Sequence, residues 1–127
     1  MFLGLRTIIY PAPDLQAAKT WFSALLEREP YFDQPFYVGY EVGGYELGLD
    51  PDGDLADGAR TYWGVADADA AFDWLLSHGA GVRTAVQEVG DGIRVATVES
   101  PMGSLIGIIE NPHFKAQDPG PQAGPGR

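Results

Sequence analysis

The pattern D-x-x-A-A-x-x-W occurs twice in this chain, as DLQAAKTW at 14–21 and as DADAAFDW at 67–74. The offset is 67 − 14 = 53 residues. Each copy opens on an aspartate, whose carboxylate can accept the first free N–H groups of a helix. An internal repeat implies two copies of one supersecondary unit.

The flanks support that reading. Residues 3–10, LGLRTIIY, are apolar and β-branched and read as a strand. PAP ends it, because proline cannot continue a hydrogen-bonded ladder. Asp14 then caps a helix expected over 15–26, with Leu15, Ala18, Phe22, Leu25 and Leu26 at helical spacing. PFYVGYEVGGYELGLD reads as two strands joined at Gly43–Gly44. EPYFD is a candidate third short strand before them. The second half repeats the plan. ARTYWGV is a strand, Asp67 caps a helix over 68–77, and Gly79 stops it. GVRTAVQEV, GIRVATVES and LIGIIEN are further strands, with a PMGS turn before the last.

Each half therefore reads β-α-β-β-β. At the offset of 53, Thr7 matches Arg60, Pro11 matches Gly64 and Ala17 matches Ala70. At the ends, YELGLDP (45–51) aligns with IGIIENP (106–112), an offset of 61. The fold class expected is α+β, with two βαβββ modules forming a curled mixed sheet around a cleft. Module one spans about 3–51 and module two about 59–112, within one domain over 1–115. The segment 116–127 is rich in Pro and Gly and is expected to be disordered.

Composition bounds the partners. The chain has 127 residues and a formal net charge of −10, from 8 basic and 18 acidic residues. Such a balance argues against nucleic acid, whose phosphates need a basic face. It suits a neutral, cationic or aromatic small molecule better, although acidity also serves solubility. Cysteine is absent, so neither disulfides nor thiolate metal sites can form. No apolar run approaches a membrane span, and no basic-plus-apolar leader is evident, so a soluble cytoplasmic protein is expected.

Alternation along the strands sorts residues between two faces. Ile8, Leu47, Leu49, Trp63, Val65, Ile106 and Ile108 form the apolar set that should lie under the helices. Thr7, Glu46, Arg60, Tyr62 and Gly107 form the opposite set and should line the cleft. The repeat makes Thr7 equivalent to Arg60 and Glu46 equivalent to Gly107. A register shift of one would instead bring Arg6 and Thr61 to the cleft. Trp21 and Trp74 are repeat-equivalent helix residues, expected in the core or an interface. Of the strand aromatics Tyr10, Tyr37, Tyr40, Tyr62 and Trp63, Tyr62 is the strongest candidate for ligand contact. His78 reads as a helix C-terminal residue and His113 as a loop residue. DPDGDLADG is rich in aspartate, but it lacks the closing glutamate of a calcium loop and reads as a solvated turn.

Three segments in this order, TIIYPAPDLQAAKTWF, YWGVADADAAFDWLLSHGA and SPMGSLIGIIENP, resemble the vicinal oxygen chelate superfamily. That superfamily includes glyoxalase I, extradiol dioxygenases and the bleomycin and fosfomycin resistance proteins. The resemblance covers about residues 3–112. It implies a cleft in which four strand positions carry His, Gln or Glu around one divalent ion. Carried onto this chain, those positions are Thr7, Glu46, Arg60 and Gly107, and only Glu46 is a ligand type. The expectation is a metal-free and cofactor-free homodimer of the bleomycin-resistance type that binds a small molecule, one that could sequester a drug or metabolite. The alternative is a glyoxalase- or dioxygenase-type lyase or oxidoreductase with a non-standard or metal-free site, in which Glu46 could serve as a general base. Arg60 and Glu46 are expected to face each other as an ion pair where the metal would sit.

Overall fold

A computed structural model describes residues 1–114, so the expected disorder of 116–127 lies outside the described residues. The first module is β1 (Phe2–Pro11), α1 (Leu15–Leu26), β2 (Phe32–Gln34), β3 (Tyr37–Val42) and β4 (Tyr45–Asp50). The second is β5 (Arg60–Val65), α2 (Ala68–Ser77), β6 (Gly81–Gly90), β7 (Ile93–Glu99) and β8 (Leu105–Glu110). A short 3₁₀ turn, Leu55–Asp57, lies in the aspartate-rich connection between them.

The repeat is realised as topology. The eight strands form one open sheet in the order β2-β3-β4-β1-β5-β8-β7-β6. Each module contributes four neighbouring strands in the order first, fourth, third, second. The two first strands, β1 and β5, meet antiparallel at the centre. Within each module the first and fourth strands run parallel. Because the modules join through β1 and β5, the sheet curls around a cleft built within a single chain.

Both helix starts form where the aspartates predict. Asp14 accepts from the Ala17 N–H and Asp67 from the Ala70 N–H, each at 3.1 Å. Glu110 adds a second acceptor at α2, taking the Ala68 N–H at 2.8 Å and tying the helix to β8. The Gly43–Gly44 turn places both residues at positive φ, 61° and 90°, as a two-residue hairpin of right-handed twist requires.

Two small cores lie on the helix-bearing face. One gathers Ala12, Val38, Tyr40 and Leu49 under α1. The other gathers Val65, Ala68, Ala71, Ala96 and Ile108 under α2. Tyr40 is fully buried, with its hydroxyl bonded to the Ser23 hydroxyl and the Lys19 carbonyl. Of the predicted apolar set, Leu49, Val65 and Ile108 are buried, and Leu47 packs against the first core. Ile8, Trp63 and Ile106 are only half-buried, because the helices cover the outer strands and leave the central pair less shielded. Trp63 meets Phe2 edge-on there. Trp21 and Trp74 are 60% and 48% exposed, so neither belongs to the core, and Leu25 is exposed as well.

Candidate functional site

The sheet's other face carries the cleft. Strand pairing sets Glu46 opposite Thr7, Thr7 opposite Tyr62 and Tyr62 opposite Gly107. These four residues form one row across β4, β1, β5 and β8. Arg60 lies in the next row, level with Ile9 and Gly48. The repeat partner of Thr7 is therefore Tyr62, at an offset of 62 − 7 = 55, and not Arg60. The helix offset of 53 is smaller because the link from strand to cap is two residues shorter in the second module.

The cavity over this row has a volume of about 570 Å³. Thr7, Glu46, Arg60 and Tyr62 all line it. Its walls are largely apolar or aromatic, with Phe32, Phe36, Tyr37, Ile93, Val95 and Ile109 prominent. Gly107 forms the floor beneath Tyr62, since a Cβ there would fall 2.5 Å from the phenol ring. Of the strand aromatics, Tyr37 and Tyr62 face the cleft. Tyr10 and Tyr40 turn to the helix side and pack against Phe22.

Glu46 organises the centre. Thr7 Oγ1 donates to its Oε1 at 3.2 Å and the Tyr37 hydroxyl donates to the same oxygen at 3.1 Å. The Tyr31 hydroxyl donates to Oε2. Burial, followed by hydrogen bonding and charge from Glu46, pushes the Tyr31 phenol well above its ordinary range. Burial, then the Glu46 charge and hydrogen bond, does the same at Tyr37. Both hydroxyls therefore stay protonated and keep donating at neutral pH. Gly48 makes room for this arrangement, because any Cβ there would overlap the Tyr37 phenol.

The expected Arg60–Glu46 ion pair does not form. Arg60 Nη2 binds Asp50 Oδ2 at 2.7 Å, with both side chains about three-quarters covered. The cause is the register: Arg60 is one row nearer the Asp50 end of β4, and Glu46 is already held by three hydroxyls. Asp50 and Tyr31 are not among the sequence candidates, and Tyr37 ranks there below Tyr62. Tyr31 belongs to no strand, and alternation within β4 carries Glu46 and Asp50 together only once the register is known.

The donors do not fit the divalent ion that the resemblance implies. The four-position row offers one carboxylate, one threonine hydroxyl, one phenol and a glycine. Among the described residues no group of three or more His, Asp or Glu side chains converges on one point. A divalent site needs several such donors aimed together. The remaining sequence candidates are accounted for by local bonds. His78 Nδ1 donates to the Trp74 carbonyl at 2.8 Å, and His113 Nε2 to the Asp91 carbonyl at 2.8 Å. In the aspartate-rich loop, Asp50 and Asp54 accept nearby backbone N–H groups. No helix among the described residues is long and apolar enough to cross a membrane.

No family model matches the chain, and no curated protein matches it. Solved structures do. Methylmalonyl-CoA epimerase from Streptomyces coelicolor superposes with a TM-score of 0.73 at 17% identity, covering 92% of this chain and 100% of that one. A glyoxalase/bleomycin resistance protein/dioxygenase superfamily member from Vibrio splendidus gives a TM-score of 0.67 at 18% identity, covering 84% and 97%. A structure described as an NAD-dependent benzaldehyde dehydrogenase from Legionella pneumophila gives 0.65 at 13% identity, covering 81% and 96%. Proteins described by such different activities share the architecture, so at these identities the likeness concerns the fold. The chain has the glyoxalase/bleomycin resistance/dioxygenase fold, the architecture of the vicinal oxygen chelate superfamily.

Proposed function

We propose that this protein binds a small molecule in the cleft without a metal ion, as a homodimer, in the manner of a sequestering protein for a drug or metabolite. The observation that carries the reading is the composition of the cavity. It is a concave, mostly apolar space of about 570 Å³ with a few convergent polar groups, the usual form of a small-molecule site. Tyr37, Tyr62 and Phe32 suit a planar apolar body. The negative charge of Glu46 suits a cationic group on that body. A neighbour of the same fold solved in complex with 2-nitronate-propionyl-CoA supports a small organic ligand here.

Glu46 could also act as a base in a metal-free reaction, since it is the only carboxylate in the central row. Three hydroxyls already occupy its oxygens. Binding is therefore the reading the geometry supports better.

The test is calorimetric titration with an uncharged naphthyl probe, naphthylmethanol, against the wild type and Val95→Trp, whose indole would fill the cleft. We expect one probe per chain in the wild type and none in the variant. Equal binding by both proteins would overturn the cleft as the site. Metal content is the second test. Stoichiometric zinc, nickel, iron or manganese in chelator-free protein, lost on Glu46→Ala, would overturn the metal-free reading.

A further inference from the structure

The chain is strongly acidic, and its basic side chains are almost all neutralised locally. Of the six described Lys and Arg residues, five pair with a carboxylate. Lys19 binds Asp33 at 3.0 Å, Arg28 binds Glu41 at 3.4 Å and Arg60 binds Asp50 at 2.7 Å. Arg83 binds Asp57 and Arg94 binds Asp69, each at 2.8 Å. Among the described residues Arg6 alone has no carboxylate partner. Its single hydrogen bond is from Nη1 to the neighbouring Leu5 carbonyl at 3.2 Å. A guanidinium has five N–H donors, so most of its fork is unspent.

Arg6 is nevertheless held in place. Leu5 pairs with Trp63 and Thr7 pairs with Tyr62, so β1 carries one extra residue at this point, and that residue is Arg6. A bulge of this kind re-aims a side chain. Simple alternation from Thr7 would send Arg6 to the helix side, but the bulge lays its guanidinium across Gly64, in the strand position that follows Arg60 and Tyr62 on the cleft face. A Cβ at Gly64 would fall 2.6 Å from Arg6 Nε, so the guanidinium lies directly over the glycine and would have to move for a larger residue. The guanidinium carbon also stands 3.9 Å from the centre of the Phe114 ring. Such a cation–π contact fixes the plane of the fork without consuming its N–H groups.

The cation adjoins the cleft. A cavity of about 390 Å³ is lined by Arg6, Glu41, Tyr45, Asn111 and Phe114, and it shares Tyr31 and Glu46 with the main cavity; Glu41 is paired with Arg28. Ile109 borders both the main cleft and the niche formed by Arg6, Gly64 and Phe114. Glu46 faces this space, but its oxygens are engaged by Thr7, Tyr31 and Tyr37.

We propose that Arg6 is an oxyanion-recognition residue, and that the cleft's ligand carries a carboxylate or phosphate at the Phe114 end of its apolar body. This rests on the reading of the cleft as a small-molecule site. Arginine's planar fork matches both groups with paired N–H donors. In a chain of net charge −10, a local cation that forms no ion pair with the described carboxylates, the neighbouring Glu41 and Glu46 being engaged by Arg28 and by three hydroxyls, is what lets an anionic group approach.

The experiment compares three probes that share one body: naphthylmethanol, naphthalene carboxylate and naphthyl phosphate. Each is titrated calorimetrically into the wild type, Arg6→Gln and Arg6→Lys. In the wild type we expect one or both anions to bind about tenfold tighter than the alcohol, as charge-assisted hydrogen bonds allow. Whichever anion gains more identifies the group. Arg6→Gln should erase the advantage, so that the anions bind no tighter than the alcohol. Arg6→Lys should restore part of it, because the charge returns without the fork. Thermal unfolding of each variant checks that it folds, and Arg6→Lys keeps the test decisive should Arg6→Gln not fold. If the alcohol binds and the anions bind no better in the wild type, the Arg6 assignment fails while the cleft reading stands. It fails equally if the anions' advantage survives in either Arg6→Gln or, at full strength, Arg6→Lys. If none of the three probes binds, both readings fail.

Discussion

Glu46 joins residues from three segments, because its carboxylate gathers hydroxyls from Thr7 on β1, Tyr37 on β3 and Tyr31 ahead of β2. The phenols should betray this arrangement in a spectrophotometric titration. Of the chain's six tyrosines, those free in solvent ionise near pH 10, and Tyr31 and Tyr37 should remain protonated beyond that point. The linkage has a definite sign. In the unfolded chain these phenols lose their protons near pH 10, while the folded state retains them, so stability falls as pH rises above about 10. Glu46→Gln removes the charge and leaves burial as the main cause. The two phenols should then move part of the way back, and the alkaline loss of stability should soften. If the titration curve of Glu46→Gln overlays that of the wild type, the hydroxyl cluster is not held by Glu46. A second residue-scale expectation concerns Arg60. A double-mutant cycle on Arg60→Met and Asp50→Asn should show coupling of about 1 kcal/mol, the upper end for a partly exposed pair. The cycle on Arg60→Met and Glu46→Gln should be additive within about 0.5 kcal/mol. Coupling only in the second cycle would contradict the register described above. Arg60 and Glu46 border the same cavity, and alternation, with its period of two, is what assigns each to that face. Which row each occupies depends on pairing across β4, β1 and β5, and alternation within a strand carries no information about that.

At the level of elements, the aspartate caps were fully legible and the strand equivalences were not. Asp14 and Asp67 form local bonds three residues away, so spacing alone reveals them. The offset between β1 and β5 differs from the helix offset because PAP lengthens one link, a change that no helical pattern records. The bulge that turns Arg6 was likewise hidden, since it exists only relative to the partner strand. Cap removal should discriminate between the two helices. Asp14→Ala should cost about 1 kcal/mol, the typical value for a lost N-cap. Asp67→Ala should cost less, because Glu110 still accepts the Ala68 N–H, and Asp67→Ala with Glu110→Gln should exceed the sum of the single losses. Chemical denaturation would measure all four proteins. Strict additivity would show that the two carboxylates serve α2 independently. The cleft floor gives a further element-scale expectation. Gly107→Ala sets a methyl against the Tyr62 ring, which must swing into the cavity. The naphthylmethanol probe should then bind about tenfold more weakly, which corresponds to 1.4 kcal/mol, and unchanged affinity would place Tyr62 away from the ligand.

At the scale of the whole molecule, the repeat builds the cleft inside one chain and leaves a different surface unfinished. β1 begins pairing with β4 only at Thr7, so the backbone of residues 2–6 has no described partner on that side. An unpaired edge is a template for another strand. Beside it, Leu3, Leu5, Ile8 and Tyr45 line a groove of about 650 Å³ that wraps the edge and also reaches Arg6, Thr7 and Glu46. Leu3, Leu5 and Tyr45 are 61%, 49% and 56% exposed. A second copy of the chain offers the same edge and the same apolar side chains, so a twofold arrangement satisfies both at once. We therefore expect light scattering to give twice the 13.7 kDa chain mass at micromolar concentration. Leu3→Glu combined with Leu5→Lys should give the monomer. The monomer should still bind naphthylmethanol, because the row Glu46–Thr7–Tyr62–Gly107 belongs to one chain. A monomeric wild type would remove the edge as an interface. A monomeric variant that folds but binds no probe would show that the partner chain completes the site.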